Sequence, residues 1–507
     1  SMRRKNMWMA VKRGIVVAIG LLIQILLTLF IYLKFGEFIS IIQVVYGLLS
    51  IIIVLMIIKY SKRLSSDLIW ILLIMLFPLI GTLLYIILSN NMKRSKVLKN
   101  INENIENGQK YLIQDEFIKK EIDTKNLGQL KYISEFAGFP VTKNNEINYY
   151  SLGDDVYPVM LEELKKAKKF IFIEYFIINN GTMWQGILDI LKEKVNSGLD
   201  VRVLYDDMGS VAMLPSNYPK LLKKYGIKCM QFNKLSPFAG IIMNNRDHRK
   251  MMIIDGHTAF SGGINISDEY ININSKLGVW KDNGIRIKGE AVWNFTVMFL
   301  EMWNSFKKED NDYNKYKYNF TEKYKENGFV VPYGESPLDD VITGEDIYLN
   351  IINQAKKYVY IYTPYLIIDT DMINSLILAA RRGVDVRIIV PGIPDKKIVY
   401  DLTSSYFYTL IKGGVKIYTY TNGFVHSKVF LSDDEIATVG TINLDYRSLY
   451  LHFECGIYMK DTNVIKDIKK DFEDSFKESH KVDEKEAKTG LFKGLWQAIL
   501  RLFAPMM

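Results

Sequence analysis

Cysteine is nearly absent from these 507 residues: Cys229 and Cys455 are the only two, too few for a disulfide framework and without zinc-site spacing. A reducing compartment fits that usage. Histidine is scarce too, with five in the whole chain, spread apart and with no carboxylate cluster beside them in sequence. No metal ion and no other cofactor is therefore expected. Acid is missing from the first 99 residues, which hold thirteen Lys/Arg against Glu37 and Asp67, a balance of +11. The net charge of +9 then leaves −2 for the other 408 residues. A nucleic-acid phosphodiesterase gathers positive charge around its active site to hold phosphates, so this distribution argues against a nucleic-acid partner.

What the N-terminal region has is apolar length. Residues 14–33 carry only Gln24 and Thr28 as polar groups, and residues 38–58 form a second apolar run. Each reaches the roughly 20 residues of one membrane crossing. The first is too long for a cleaved signal peptide and no small-residue cleavage site follows it. A third run, 68–88, is interrupted by Pro78 and Gly81, and a proline inside a helix removes a hydrogen bond and clashes with the preceding turn. The cationic clusters at Arg3–Arg13, Lys59–Arg63 and Lys93–Lys99 all read as cytoplasmic. The expectation is a membrane region over residues 1–92, with transmembrane helices at 14–33 and 38–58 and a re-entrant or interfacial helix-break-helix at 68–88. An ordinary third span is the alternative.

Residues 93–132 read as a polar connector. Beyond them the chain repeats itself. His248, Lys250, Asp255 and Asn265 recur as His426, Lys428, Asp433 and Asn443, each shifted by 178 residues. Upstream, AKKFIFIEY at 167–175 matches AKKYVYIYT at 355–363, and GLDVRVLYD at 198–206 matches GVDVRIIVP at 383–391. A β-α-β unit ending in a His-x-Lys strand has been used twice, in halves 133–306 and 330–480, so the fold class is α/β and two half-sites are expected to meet in one active centre. Side chains two apart on a strand share a face, which puts each imidazole beside an ammonium, a pairing suited to attack on an anionic phosphoryl group. Asp255 and Asp433 stand an odd five residues beyond the lysines, on the opposite face, and read as scaffold rather than proton carriers.

These motifs, with their flanks RDHRKMMIIDG (246–256), GGINISDEY (262–270) and GTINLDYRSLYLHFE (440–454), resemble the bacterial cardiolipin synthases of the phospholipase D superfamily. The likeness runs from the third apolar segment to the C-terminus. Asp247 and His452 stand where that family more often has Asn, and neither is given weight. The resemblance implies two pseudo-symmetric phospholipase D-like α-β-α sandwich halves forming one active site, preceded by an N-terminal α-helical membrane region. It also implies a multi-pass protein of the bacterial cell membrane with its catalytic part on the cytoplasmic face. Its substrate and product would be phosphatidylglycerol and cardiolipin, made by phosphatidyl transfer through a phosphatidyl-histidine with loss of glycerol. His248 would be the nucleophile and His426 the general acid/base. Lys250 and Lys428, with Asn265 and Asn443 as donors, can hold the non-bridging oxygens without a metal. Each imidazole needs a partner at its other nitrogen. Asp282, 34 residues after His248, and Glu454, 28 after His426, look like the family's orienting acids. A membrane phospholipase D, with water as acceptor, is the alternative reading, and a nuclease a weaker one; the oligomeric state is left open.

Two segments remain. Residues 307–329 are charged and Tyr-rich and are expected to be a solvated linker. The tail, 481–507, contains an amphipathic stretch with Leu491, Phe492, Leu495, Trp496, Ile499, Leu502 and Phe503 on one helical face and Lys493, Gln497 and Arg501 on the other. It is expected either to pack its apolar face on its own domain or to lie in a membrane interface.

Overall fold

The computed structural model describes residues 26, 39–61, 64–88, 96–234, 245–325, 328–339 and 341–506. The crossing expected at 14–33 lies, apart from Leu26, outside these residues, as do Arg3–Arg13, Lys62, Arg63, Lys93 and Arg94. The chain divides into two compact units, residues 1–94 with 238–242, and residues 95–237 with 243–507.

In the first unit, helix α1 (Ile39–Tyr60) is followed by α2 (Leu64–Leu76) and α3 (Pro78–Leu88). The third apolar run bends at Phe77, immediately before Pro78, whose ring suits the first position of a new helix. Ile57, Ile71 and Ile74 are buried together with Ile53, Val54 and Tyr85 packed on them, and Trp70 meets Tyr85 edge-on at 5.7 Å between ring centroids. Other apolar side chains face outward, among them Leu48, Ile51, Leu55 and Leu76. Among the described residues, no helix is long and apolar enough to cross a membrane.

The second unit holds the repeat. Its first half contributes β1 (Asn145–Tyr150), β2 (Phe170–Tyr175), β3 (Asp200–Asp206), β4 (Lys228–Phe232), β5 (Arg246–Asp247), β6 (Lys250–Ile254), β7 (Thr258–Gly262), β8 (Val279–Lys281) and β9 (Gly284–Gly289). The second contributes β10 (Phe329–Glu335), β11 (Tyr358–Tyr362), β12 (Asp385–Pro391), β13 (Lys416–Tyr420), β14 (Gly423–Val425), β15 (Val429–Ser432), β16 (Ile436–Gly440), β17 (His452–Lys460) and β18 (Ser479–Lys481). The first sheet runs β1-β9-β7-β6-β2-β3-β4, and the second runs in the same order, β10-β17-β16-β15-β11-β12-β13, with β18 added at its edge. Only β2-β3-β4 and β11-β12-β13 are parallel runs; the remaining pairs within each sheet are antiparallel. Both faces of β2 are covered, which is why FIFIEY is buried at every position, Glu174 included.

The inner faces of the two sheets share one core. At its centre lies the helix Val292–Phe306, mostly apolar and buried on every side from Val292 to Ser305. Phe172, Met251 and Ile285 of the first half belong to the same cluster as Val330, Val429 and Ile457 of the second. Separating the halves would therefore expose a core.

Outside the site one expectation is corrected, and for the tail the first of its two alternatives is not met. The segment after that helix is not simply solvated. Arg202, 1% exposed, bonds Asp310 at 2.6 Å, Asp200 at 2.7 Å and the Tyr316 hydroxyl, and Tyr313 and Tyr316 are buried. A buried guanidinium needs such partners, and the connector supplies them. The helix Leu491–Phe503 also sits the other way up from an ordinary packed helix. Gln497 and Leu500 are its buried residues, while Phe492 is 88% exposed and Leu495 63%. Its polar side is the docked one. Gln497 donates to Asp401 O and Ser404 Oγ, both at 3.2 Å, Arg501 donates to Ser405 Oγ at 2.9 Å, and its guanidinium lies over the Tyr406 ring.

Candidate active site

The two sheets exchange short strands, and the exchange builds the site. β5 leaves the first half to pair in parallel with the start of β17, Arg246 opposite His452 and Asp247 opposite Phe453. β14 of the second half pairs in the same way with β8, Phe424 opposite Trp280 and Val425 opposite Lys281. The histidines follow directly. His248 N donates to Phe453 O at 2.9 Å and His426 N to Lys281 O at 2.8 Å. The expectation that His and Lys lie within one strand is therefore corrected: regular strand begins at Lys250 and at Val429, because each histidine's backbone is bonded to the opposite half.

The crossing decides which acid meets which histidine. Glu454 of the second half takes His248, with Nδ1 at 2.8 and 2.9 Å from its two oxygens. Asp282 of the first half takes His426, with Nδ1 at 2.7 Å from Oδ2. Sequence spacing ties each acid to the histidine upstream in its own half; the structure pairs them the other way. An ionised carboxylate only accepts, so each Nδ1 carries the proton and each Nε2 is left with its lone pair. Burial pushes His248 down to about 3 and His426 down to about 4, with Lys428 adding to the effect on His426, so both rings are neutral. Burial of Glu454 is outweighed by His248 beside it, and its carboxyl is held well below the usual range.

Beneath the rings lie the two lysines, both fully buried. Lys250 Nζ donates to His248 O at 2.8 Å, while Lys428 Nζ donates to His426 O and stands 2.7 Å from His426 Nδ1. Burial pulls Lys250 down to about 8 and Lys428 to about 7. Asp255 and Asp433 do not reach the histidines. They follow the ends of their strands, five residues beyond the lysines and roughly 16 Å from them at 3.3 Å per residue. Asp255 accepts from the backbone N–H groups of Lys168, Lys169 and Phe170 at 2.7–2.9 Å, and Asp433 from those of Lys356, Lys357 and Tyr358 over the same range. Both sit in left-handed turns, at φ 55° and 56°. Each pins the start of the neighbouring antiparallel strand, β2 or β11.

The histidines open into a cavity of about 900 Å³ that Asn265 and Asn443 also line. Asn265 is partly committed within the protein: its Oδ1 accepts from Ile177 N at 3.0 Å and its Nδ2 donates to the Tyr270 hydroxyl at 2.7 Å. Asn443 Oδ1 is buried without a protein partner.

Sequence reasoning missed several cavity residues. His452, given no weight, has its ring 5.6 Å from that of His248, and its buried ring nitrogens make no hydrogen bond, Nδ1 standing 3.8 Å from Glu454 Oε1. With His248 and Glu454 it forms, among the described residues, a group whose ligand atoms lie within 4.8 Å of one another, so the three acceptors scattered in sequence do converge in space. Glu454 already occupies His248 Nδ1 there. Arg246 and Arg447 line the same flank. Around His426 the wall is aromatic: Tyr270 stands edge-on at 5.3 Å, with Trp280 and Phe424 each at 5.9 Å. The 178-residue repeat, followed outward from the histidines, was the signal that could have found them.

Known proteins bear on this geometry. The family described as "Cardiolipin synthase, PLD-like domain" matches residues 160–303 and 348–476, and the one described as "Phospholipase_D-nuclease N-terminal" matches 48–90. An uncharacterised protein of Streptococcus mutans is 47% identical over 408 residues, 79% of this chain and 88% of that protein. Cardiolipin synthase 1 of Staphylococcus aureus is 35% identical over 436 residues, 81% of this chain and 85% of that protein. Among solved structures, the phosphatidylserine synthase of Haemophilus influenzae aligns with a TM-score of 0.55 at 16% identity, over 75% of this chain and 97% of that one, a likeness of fold.

Proposed function

The chain belongs to the cardiolipin synthases of the phospholipase D superfamily and is a phosphatidyltransferase; from that premise we propose that it joins two phosphatidylglycerol molecules into cardiolipin and glycerol at the paired histidines. The observation that carries this is the pair of crossed histidine–carboxylate dyads, each presenting a free Nε2 to one cavity above two buried lysines. His248 Nε2 attacks phosphorus, the P–O bond to the headgroup glycerol breaks, and His426 gives the departing alkoxide its proton. A neutral His426 must first gain that proton. The bound phosphodiester anion, with Asp282 behind the ring, supplies the negative charge that draws it on. His426 then removes a proton from the hydroxyl of the second phosphatidylglycerol, whose oxygen attacks the phosphatidyl-histidine and frees His248.

Lys250 and Lys428, with the Asn265 and Asn443 amides, offset the charge that develops on the phosphoryl oxygens, and aimed electrostatics of this kind are worth several kcal/mol. The bidentate grip on His248 supports giving it the attack. Membrane placement at the cytoplasmic face is part of the same reading. The outward apolar residues of α1 and the outward Phe492 and Leu495 of the C-terminal helix support it. That helix docks on the helix Lys397–Ser405, whose first residues line the cavity.

The test is product analysis of the full-length protein on phosphatidylglycerol vesicles, resolved by mass spectrometry, with and without excess EDTA. Cardiolipin and glycerol should form at equal rates in both. Phosphatidic acid as the main product would assign hydrolysis instead, and a rate restored only by a divalent ion would overturn the metal-free step. On the same vesicles, Phe492→Ser with Trp496→Ser should weaken co-sedimentation about tenfold.

A further inference from the structure

The two halves share a strand order but not a charge pattern. Shifting by the repeat, Arg246 corresponds to Phe424 and Arg447 to Glu269, while His452 and Trp280 hold equivalent places in the two exchanged-strand pairings. The cavity therefore has an arginine-bearing flank beside His248 and an aromatic one beside His426, with Lys396, Lys397, Asp395 and Asp445 also on its wall.

Arg246 is the informative residue on the arginine-bearing flank. It is 2% exposed, and one of its nitrogens, Nη1, donates to Asn233 O at 3.0 Å and lies 3.8 Å from Asp206. Its Nε and Nη2 are buried with no hydrogen-bond partner, as are both ring nitrogens of His452 across the strand pair, whose Nδ1 stands 3.8 Å from Glu454 Oε1. Buried donors left unmade are costly, and Arg246 lines the cavity, where its guanidinium charge matches the oxygens of a phosphodiester. Arg447 lies close by: burial holds its guanidinium below the ordinary range, with Asp445 opposing and the Arg246 charge adding to the effect. Neither arginine belongs to the His-Lys-Asp-Asn motif, whose lysines and asparagines already account for the reacting phosphate.

We propose that Arg246, with Arg447 and His452, forms a second phosphate subsite, which holds the phosphodiester of the acceptor lipid while its terminal hydroxyl reaches His426. The proposal rests on the transferase reading. A glycerol headgroup puts three carbons between phosphate and reacting hydroxyl, enough to lay the acceptor past the phosphatidyl-histidine with its anion on the arginine-bearing flank. Water and free glycerol lack that anion, so the subsite favours the lipid acceptor over both.

The experiment compares two acceptors on one donor in mixed micelles. Transfer to phosphatidylglycerol yields cardiolipin; transfer to labelled free glycerol regenerates labelled phosphatidylglycerol and uses no second phosphate. In Arg246→Gln, the ratio of lipid transfer to glycerol exchange should fall about tenfold, with a raised KM for the lipid acceptor, the loss expected of one charge-assisted contact. Arg447→Gln should move the ratio the same way, and Arg246→Lys should restore part of it. If Arg246→Gln lowers both reactions alike, Arg246 serves the reacting phosphate and the proposal is overturned. An unchanged ratio overturns it as well. A variant too unstable to assay leaves Arg447→Gln to decide on the same ratio. Wild-type protein that makes no cardiolipin and exchanges no glycerol would instead defeat the transferase reading.

Discussion

The two histidine centres share a backbone plan and differ in how firmly each ring is held. Glu454 grips His248 with both oxygens and is itself clamped by hydroxyls, Thr441 Oγ1 and Ser448 Oγ each at 2.5 Å. The equivalent positions in the other half are Gly263 and Tyr270, and neither gives Asp282 a hydroxyl among the hydrogen bonds described. A Cβ on Gly263 would come within 2.0 Å of Asp282 Oδ1, so that half has room for the acid only because the side chain is missing. Asp282 accepts from Asn283 N at 2.9 Å, and its histidine also has Lys428 against Nδ1. Duplication preserved the geometry that two histidines need to face one phosphorus atom. Divergence then held one ring more firmly than the other, which on the proposed reading suits His248 to attack and His426 to proton transfer.

The strongest way to break this comparison is to remove each ring. His248→Ala should abolish a trappable phosphatidyl-enzyme and lower turnover about 10⁴-fold, while His426→Ala should still form the adduct slowly from a donor with a good leaving group. Acid-quenched labelling followed by peptide mapping reads the outcome. An adduct on His426 in the wild-type protein would reverse the roles and leave the dyads standing.

A sharper cut tests the crossing itself. Glu454→Gln should reduce the single-turnover rate of adduct formation on His248 about 10²–10³-fold, since the ring loses the partner that fixes its tautomer. Asp282→Asn should act mainly on the second step, so that the adduct accumulates. The opposite pattern would mean that each acid serves its own half.

The smallest of the three effects concerns the lysines. Lys428 at about 7 and Lys250 at about 8 stand well below the ordinary 10.5. Unfolded, both would stay protonated to near 10.5, so between about pH 7 and 10 the unfolded chain binds more protons and stability rises with pH. Activity should run the other way, with kcat/KM falling toward tenfold per pH unit once the ammonium charges are lost. Denaturant midpoints measured from pH 7 to 9 should climb in wild-type protein and climb less in Lys428→Met. Stability and activity that both stay flat from pH 7 to 9 would show the lysines to be charged throughout.

The sequence by itself determined the chemistry: which histidines, lysines, aspartates and asparagines recur, at a constant shift of 178 residues, and that their strands belong to a duplicated α/β unit. It could do so because a strand's periodicity and a motif's spacing are local, set by backbone geometry over a few residues. Asp282 and Glu454 were legible as acids of the site, yet not as partners of the opposite histidines. Arg246, Arg447 and His452 carried no local signal, since a cation on a strand or loop reads like any surface cation until burial removes its water. The tail was legible as amphipathic, and only its docking through Gln497 and Arg501 showed which face turns outward. The tertiary structure decided these points because pairing across the halves depends on β5 and β14 leaving their own sheets, where a backbone N–H finds its acceptor some two hundred residues away and the shared apolar core leaves the two halves no separate way to close.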